Sequence, residues 1–90
     1  MKKKIIGYTS GVFDLFHIGH LNILRNAKSL CDKLIVGVST DELLFKYKNK
    51  KPIIPFTERL EIVRNMKYVD AAIPQYDLDK KSTWKKFLPE

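Results

Sequence analysis

The feature that most limits how this chain can fold is a change of apolar period at Ile18. Upstream, Lys4-Ile5-Ile6-Gly7-Tyr8-Thr9 is a short apolar run ending in Ser10-Gly11, the pattern of a buried strand entering a tight loop. Downstream, Ile18, Leu21, Leu24, Ala27 and Cys31, with Ile23 and Leu30, recur at helical spacing. Asn22, Arg25, Asn26 and Lys28 fall on the opposite side. The period reverts at Lys33 to Val38, a near-continuous apolar run of the kind a parallel strand covered on both faces requires. Strand, helix and strand in that order predict a βαβ unit.

The rest of the chain extends the alternation. Ser39-Thr40-Asp41-Glu42 has capping-box spacing and predicts a short helix from about Asp41 to Phe45. Residues 46–55 carry Lys46, Lys48, Lys50 and Lys51, then Pro52 and Pro55, and read as a loop. Thr57 is the expected cap of a helix with Leu60, Ile62, Val63 and Met66 on its apolar side. Val69 to Ile73 reads as a third strand stopped by Pro74, and residues 79–88, with Trp84, Phe87 and Leu88, as a last helix. Right-handed crossovers place the strands in the order third, second, first. The expected fold is therefore α/β, a Rossmann-like parallel sheet of about three strands with flanking helices. Its ligand crevice should lie at the carboxyl ends of the strands, beside the loop after the first one.

Composition narrows the function classes. Ninety residues make a single domain, 1–90, and 44% hydrophobic residues suffice for a core. Seventeen basic against ten acidic residues give a net charge of +7, which favours anionic partners. The longest apolar run, Leu34 to Val38, is far short of the ~20 residues of a membrane span. Asp14, His17 and His20 interrupt any signal-peptide core behind Met1-Lys2-Lys3-Lys4. Cys31 is the single cysteine, which excludes an intrachain disulfide and a cysteine-based zinc site. A reduced, cytoplasmic setting is expected.

The chemistry concentrates in Gly11-Val12-Phe13-Asp14-Leu15-Phe16-His17-Ile18-Gly19-His20. His17 and His20, three residues apart across a helix start, face one side. Backbone N–H groups and the helix dipole favour phosphate there, and imidazole N–H groups can support charge developing on its oxygens. Gly11 and Gly19 allow close backbone approach. Zinc chelation by the two histidines is the weaker reading, because no third ligand stands at a suitable spacing. Asp14 reads as a structural residue holding loop N–H groups, and Phe13 and Phe16 as core.

GVFDLFHIGHLNIL resembles the signature of the cytidylyltransferase-like nucleotidyltransferases, an H-x-G-H motif after a G-x-F-D loop. LIVGVSTDE, the lysines, Glu58-Arg59 and KYVDAAIP continue the resemblance in order over residues 4–74. Within the family the chain looks most like the glycerol-3-phosphate cytidylyltransferases. Choline-phosphate and ethanolamine-phosphate enzymes come next, and adenylyl-transferring relatives stand further off. The resemblance implies that CMP passes from CTP, accompanied by Mg²⁺, to a small phosphorylated alcohol, with pyrophosphate released. It implies that Gly11, Val12, Phe13 and Gly19 line the nucleotide, that His17 and His20 act on the α-phosphorus, and that Lys50 meets the CTP phosphates. Lys48 would serve as a catalytic and substrate-phosphate lysine, with Lys46 and Lys48 the alternative pair to Lys48 and Lys50. Arg59 and Lys67 would assist at the substrate phosphate, and no protein metal site is implied. Val12 and Lys67 depart from the glycerol-3-phosphate pattern, which leaves the acceptor open.

The family pattern continues with two further strands and an R-T-x-G-x-S-T loop that this chain does not contain. The expectation is a C-terminally truncated domain whose first strand forms an exposed edge. Such an edge, together with the dimers common in the family, predicts a homodimer. The alternative of another class is a non-catalytic domain binding phosphate or nucleic acid. Nucleic acid is disfavoured, because the aromatics do not interleave with the basic residues.

Overall fold

The computed structural model describes residues 5–76. The six elements are β1 (Ile6–Gly11), α1 (Ile18–Ser29), β2 (Lys33–Ser39), α2 (Asp41–Lys48), α3 (Phe56–Arg64) and β3 (Ala71–Gln75). The strands form one parallel sheet in the order β1-β2-β3, with Ile6 opposite Lys33 and Ile35 opposite Ala71. This is the Rossmann-like arrangement the alternating periods predict. The helix expected over 79–88, with Trp84, Phe87 and Leu88, lies outside the described residues, as does Lys4.

The core sits on one face of the sheet. Leu34, Val36 and Val38 of β2 alternate onto that face and are fully buried, as are Leu24 of α1 and Val63 of α3. Both crossover helices therefore cover the same side, as two right-handed crossovers stepping in one direction require. The other side carries a polar bridge instead. The Tyr8 hydroxyl of β1 donates to the Gln75 carboxamide oxygen of β3 across Gly37 of β2. A Cβ on Gly37 would collide with the tyrosine oxygen and stand 2.8 Å from the Gln75 oxygen, so only glycine leaves room for the bridge. The full two-sided cover expected for β2 is accordingly not met on this face, where Ile35 is only half-buried.

Several boundaries differ from expectation for identifiable reasons. β1 continues through Ser10 and Gly11, which pair with Gly37 and Val38, so the loop begins later. β3 starts at Ala71 and includes Pro74, which is tolerated because among the described residues β3 is an edge strand with no ladder partner for the missing N–H. α2 runs on to Lys48 and stops at Asn49, which still donates its N–H to the Phe45 carbonyl and then turns the chain away with a left-handed φ of 51°. Lys46 and Lys48 thus stand on a helix rather than a loop. Thr40, not Ser39, caps α2 by accepting from the Leu43 N–H at 3.2 Å. α3 begins at Phe56 behind Pro55, without a side-chain cap, so the capping role expected of Thr57 is not realised. Ile18, Ile23 and Leu30, read as part of the α1 apolar face, are 67%, 52% and 79% exposed, because a single sheet face meets only the Leu24 side of the helix.

Candidate active site

The loop after β1 builds the start of α1 out of its own histidines. The backbone N–H of Gly19 donates to His17 Nδ1 at 3.0 Å, and the backbone N–H of His17 donates to His20 Nδ1 at 3.0 Å. The pair forms a reciprocal capping box in which imidazoles replace the usual hydroxyl and carboxylate. Because both Nδ1 atoms accept, a neutral ring at either position carries its proton on Nε2. The ring centroids are 4.0 Å apart, so the two imidazoles stand together at a helix N-terminus whose first turn carries no acidic residue. Gly19 is required by this packing, since a Cβ there would lie 2.8 Å from His17 Cε1.

Phe13 and Phe16 support His20 from behind, with ring centroids 5.6 and 5.2 Å from its own. Phe13 is buried, as its core assignment requires, and Phe16 packs against the core. Burial pushes the His20 pKa below the ordinary histidine value, and the neighbouring His17 adds to this against the opposing pull of Asp14. His20 is thereby biased toward a neutral hydrogen-bond donor. The backbone of the loop is strained. Phe13 and Leu15 have φ of 56° and 50°, in the left-handed region that bulky residues avoid. That turn brings Phe13 under the loop while His17 stays exposed above it.

Two side chains fix the surroundings. Asp14 accepts from the backbone N–H groups of Ile53 and Ile54, both at 2.9 Å, and so pins the lysine-rich connection to the histidine loop. Burial raises its pKa, but those two N–H groups and the Arg59 guanidinium outweigh it and hold the carboxyl below its usual range. Arg59 is fully buried. Its guanidinium donates to the carbonyls of Val12 (2.8 Å), Ser39 (2.7 Å) and Ile54 (2.8 Å) and to the Asp41 carboxylate (2.5 Å). One cation thus ties together the ends of β1 and β2, the start of α2 and the loop before α3.

The structure gathers some of the expected site residues and separates others. Gly11, Val12, Phe13, His17, Gly19 and His20 lie together at the carboxyl end of β1. Lys48, the last residue of α2, shares with Val12 and Ser39 the lining of a cavity of about 130 Å³. Lys46 is exposed and lies 5.4 Å from the Tyr47 ring centroid, and Lys50 is exposed beyond Asn49. Arg59 does not face a substrate phosphate, because its hydrogen bonds to the chain itself hold it in the interior. Lys67 is also displaced from the expected site. It precedes β3 at the amino end of the parallel sheet, opposite the histidines, with its ammonium over Tyr68. At that amino end Asp70 accepts from the Leu34 N–H and the Lys28 ammonium, an arrangement the sequence reading did not identify. The clamp role of Arg59 was also missed, although its spacing with Phe56, Leu60 and Val63 places it on the apolar side of α3.

Fold and site together define a Rossmann-like α/β domain whose polar, ligand-ready end is the carboxyl end of its sheet. The cytidylyltransferase-like family model matches residues 8–88, and the chain belongs to that nucleotidyltransferase family. The chain is 44% identical over 69 residues to an FAD synthase of Thermococcus kodakarensis, covering 77% of this chain and 46% of that one. It is 42% identical over 71 residues to an FAD synthase of Pyrococcus abyssi, covering 79% and 48%. It thus spans about half the length of these relatives. Among solved structures, a lipopolysaccharide core biosynthesis protein from Thermoplasma volcanium superposes with a TM-score of 0.83 at 33% identity, over 93% of this chain and 68% of that one. The resemblance seen in the motifs is confirmed at the level of the family. The relatives named here are FAD synthases rather than glycerol-3-phosphate enzymes. No helix among the described residues is long and apolar enough to cross a membrane.

Proposed function

We propose that this chain carries the phosphate-reacting part of a nucleotidyltransferase that joins AMP from ATP to riboflavin phosphate, forming FAD and releasing pyrophosphate. The observation that carries the transferase reading is the pairing of the His17 and His20 rings, centroids 4.0 Å apart, at the N-terminus of α1, with each Nδ1 taken up by a backbone N–H. The FAD synthase relatives favour the adenylyl and flavin pairing over CMP transfer to glycerol-3-phosphate.

The chemistry suits these residues. A phosphomonoester is largely ionised near neutral pH, with a second pKa of about 6, and needs no general base to attack. Its oxygen bonds to the α-phosphorus as the bond to the bridging oxygen breaks, and pyrophosphate takes the electron pair. Such a reaction requires alignment and stabilisation of charge on the phosphoryl oxygens. The two imidazole N–H groups and the α1 N-terminus supply both, and Lys48 and Lys50 supply cationic reach. Among the described residues no three metal-ligating side chains cluster. In this reading Mg²⁺ enters with the nucleotide, as part of the substrate.

The test is pyrophosphate release by the full-length protein, with ATP or CTP against riboflavin phosphate, glycerol-3-phosphate and phosphocholine. Turnover with ATP and riboflavin phosphate is the expected result. Turnover confined to CTP and glycerol-3-phosphate would return the protein to the cytidylyl reading.

A further inference from the structure

The cavity of about 130 Å³ at the carboxyl ends of β1 and β2 has a lining that points to a ligand class. Its walls are Val12, Leu43, Leu44 and the ring of Tyr47, with Ser39 and Lys48 the polar contributors. Leu43 and Leu44 are buried and fixed by the capped first turn of α2, and Arg59 holds the Val12 and Ser39 carbonyls in place. The cavity is therefore formed in advance. Its size is close to the ~150 Å³ apolar cavity that accepts one benzene molecule. A glycerol phosphate would bring hydroxyl groups to a wall with few partners for them. A quaternary ammonium would meet the Lys48 cation and a single aromatic ring where such ligands favour an aromatic cage. Two neighbouring hollows are larger, about 240 and 310 Å³, but both are lined by the Asp41 carboxylate and neither reaches the strand ends.

We propose that this cavity receives one ring of a planar aromatic acceptor, with Tyr47 packing on it and Leu43, Leu44 and Val12 enclosing its edge. Val12, one wall of the cavity, begins the loop that leads to His17, so the cavity adjoins the segment that carries the proposed phosphate-binding histidines. The inference deepens the flavin reading above and rests on it for the identity of the ring. Tyr47 is half-exposed at the end of α2, and its replacement leaves the core intact.

The experiment is titration of riboflavin phosphate fluorescence with the full-length protein, its Tyr47→Ala and Tyr47→Phe variants, and ATP binding as a control. Tyr47→Ala should weaken riboflavin phosphate binding about tenfold, the scale of one aromatic contact, while ATP affinity stays within twofold. Tyr47→Phe should bind as the wild type does. Equal flavin affinity in Tyr47→Ala, or no saturable flavin binding by the wild type, overturns the cavity assignment. Intact, Tyr47-dependent flavin binding without pyrophosphate release from ATP and riboflavin phosphate overturns the reaction instead and leaves the cavity assignment standing.

Discussion

Replacing Arg59 by methionine is the most direct test of how the site is held together. Methionine keeps the unbranched stem, so little volume is lost, but the guanidinium disappears. The Val12, Ser39 and Ile54 carbonyls lose their donor in half-buried surroundings. An unsatisfied buried acceptor costs about 1–3 kcal/mol, and partial access to water places each of these near the lower bound. Asp41 adds little, because its side chain is 43% exposed and water can replace the lost partner. The sum is about 3 kcal/mol, against about 5–13 kcal/mol for a domain of this size. The variant should fold, with a urea midpoint lowered by at least ~1 M for an ordinary denaturant slope. Arg59→Lys keeps the charge, but one ammonium cannot span the four acceptors, so less than half the loss should return. A midpoint within ~0.3 M of wild type for Arg59→Met would refute the clamp, since three stranded carbonyls cannot be nearly free.

The histidine cap separates two roles that alanine scanning would merge. His17→Ala should lower stability by about 1 kcal/mol through the lost cap as well as removing the Nε2 donor, whereas His17→Asn should keep the cap. Both should reduce turnover by roughly 10²–10³, measured as pyrophosphate release, and a fully active His17→Asn would leave only the cap. The depressed His20 pKa means that the unfolded chain gains a proton before the folded one does. Stability should thus be level above about pH 7.5 and fall on acidification through about pH 6.5, with the slope reduced in His20→Gln, measured by urea titration across pH. Gly37→Ala should cost about 1–3 kcal/mol in thermal unfolding, by forcing the Tyr8 and Gln75 bridge apart. Among the described residues β1 lies at the sheet edge with Ile5 and Ile6 59% and 42% exposed, and a net charge of +7 opposes association. A dimer should therefore tighten as salt rises, and a monomer by sedimentation at both low and moderate salt would refute it.

The sheet and its order were legible because the apolar period changes at Ile18 and Lys33, and handedness settles the rest. The proximity of His17 and His20 was legible from their three-residue spacing across a helix start, although what holds them together is the capping box, with His17 itself extended rather than helical. What period could not reveal was which polar residues turn inward. Arg59 and Lys67 look alike as cations in a basic chain, yet one is enclosed by backbone carbonyls from distant segments and the other faces solvent at the opposite end of the sheet. Those carbonyls are supplied by every residue type, so no side-chain pattern announces them. The lysine segment was misjudged because its helix-forming residues precede two prolines. Asn49, by adopting a left-handed conformation, lets α2 finish before they intervene.

That the imidazoles proposed to act on phosphate also start a helix affects how this motif can be read in other genomes. Side chains that meet only a substrate drift once the activity is no longer selected. His17 and His20 have a second employment in holding backbone N–H groups, so a descendant that has abandoned the reaction still gains by keeping them. Persistence of the pair therefore reports inheritance of a fold more directly than survival of an activity. Residues with no folding duty are the better witnesses. The half-exposed Tyr47 ring, which lies outside the buried core, is such a residue, and under the proposed flavin reading its loss or exchange would register a change of acceptor that the histidines would outlast.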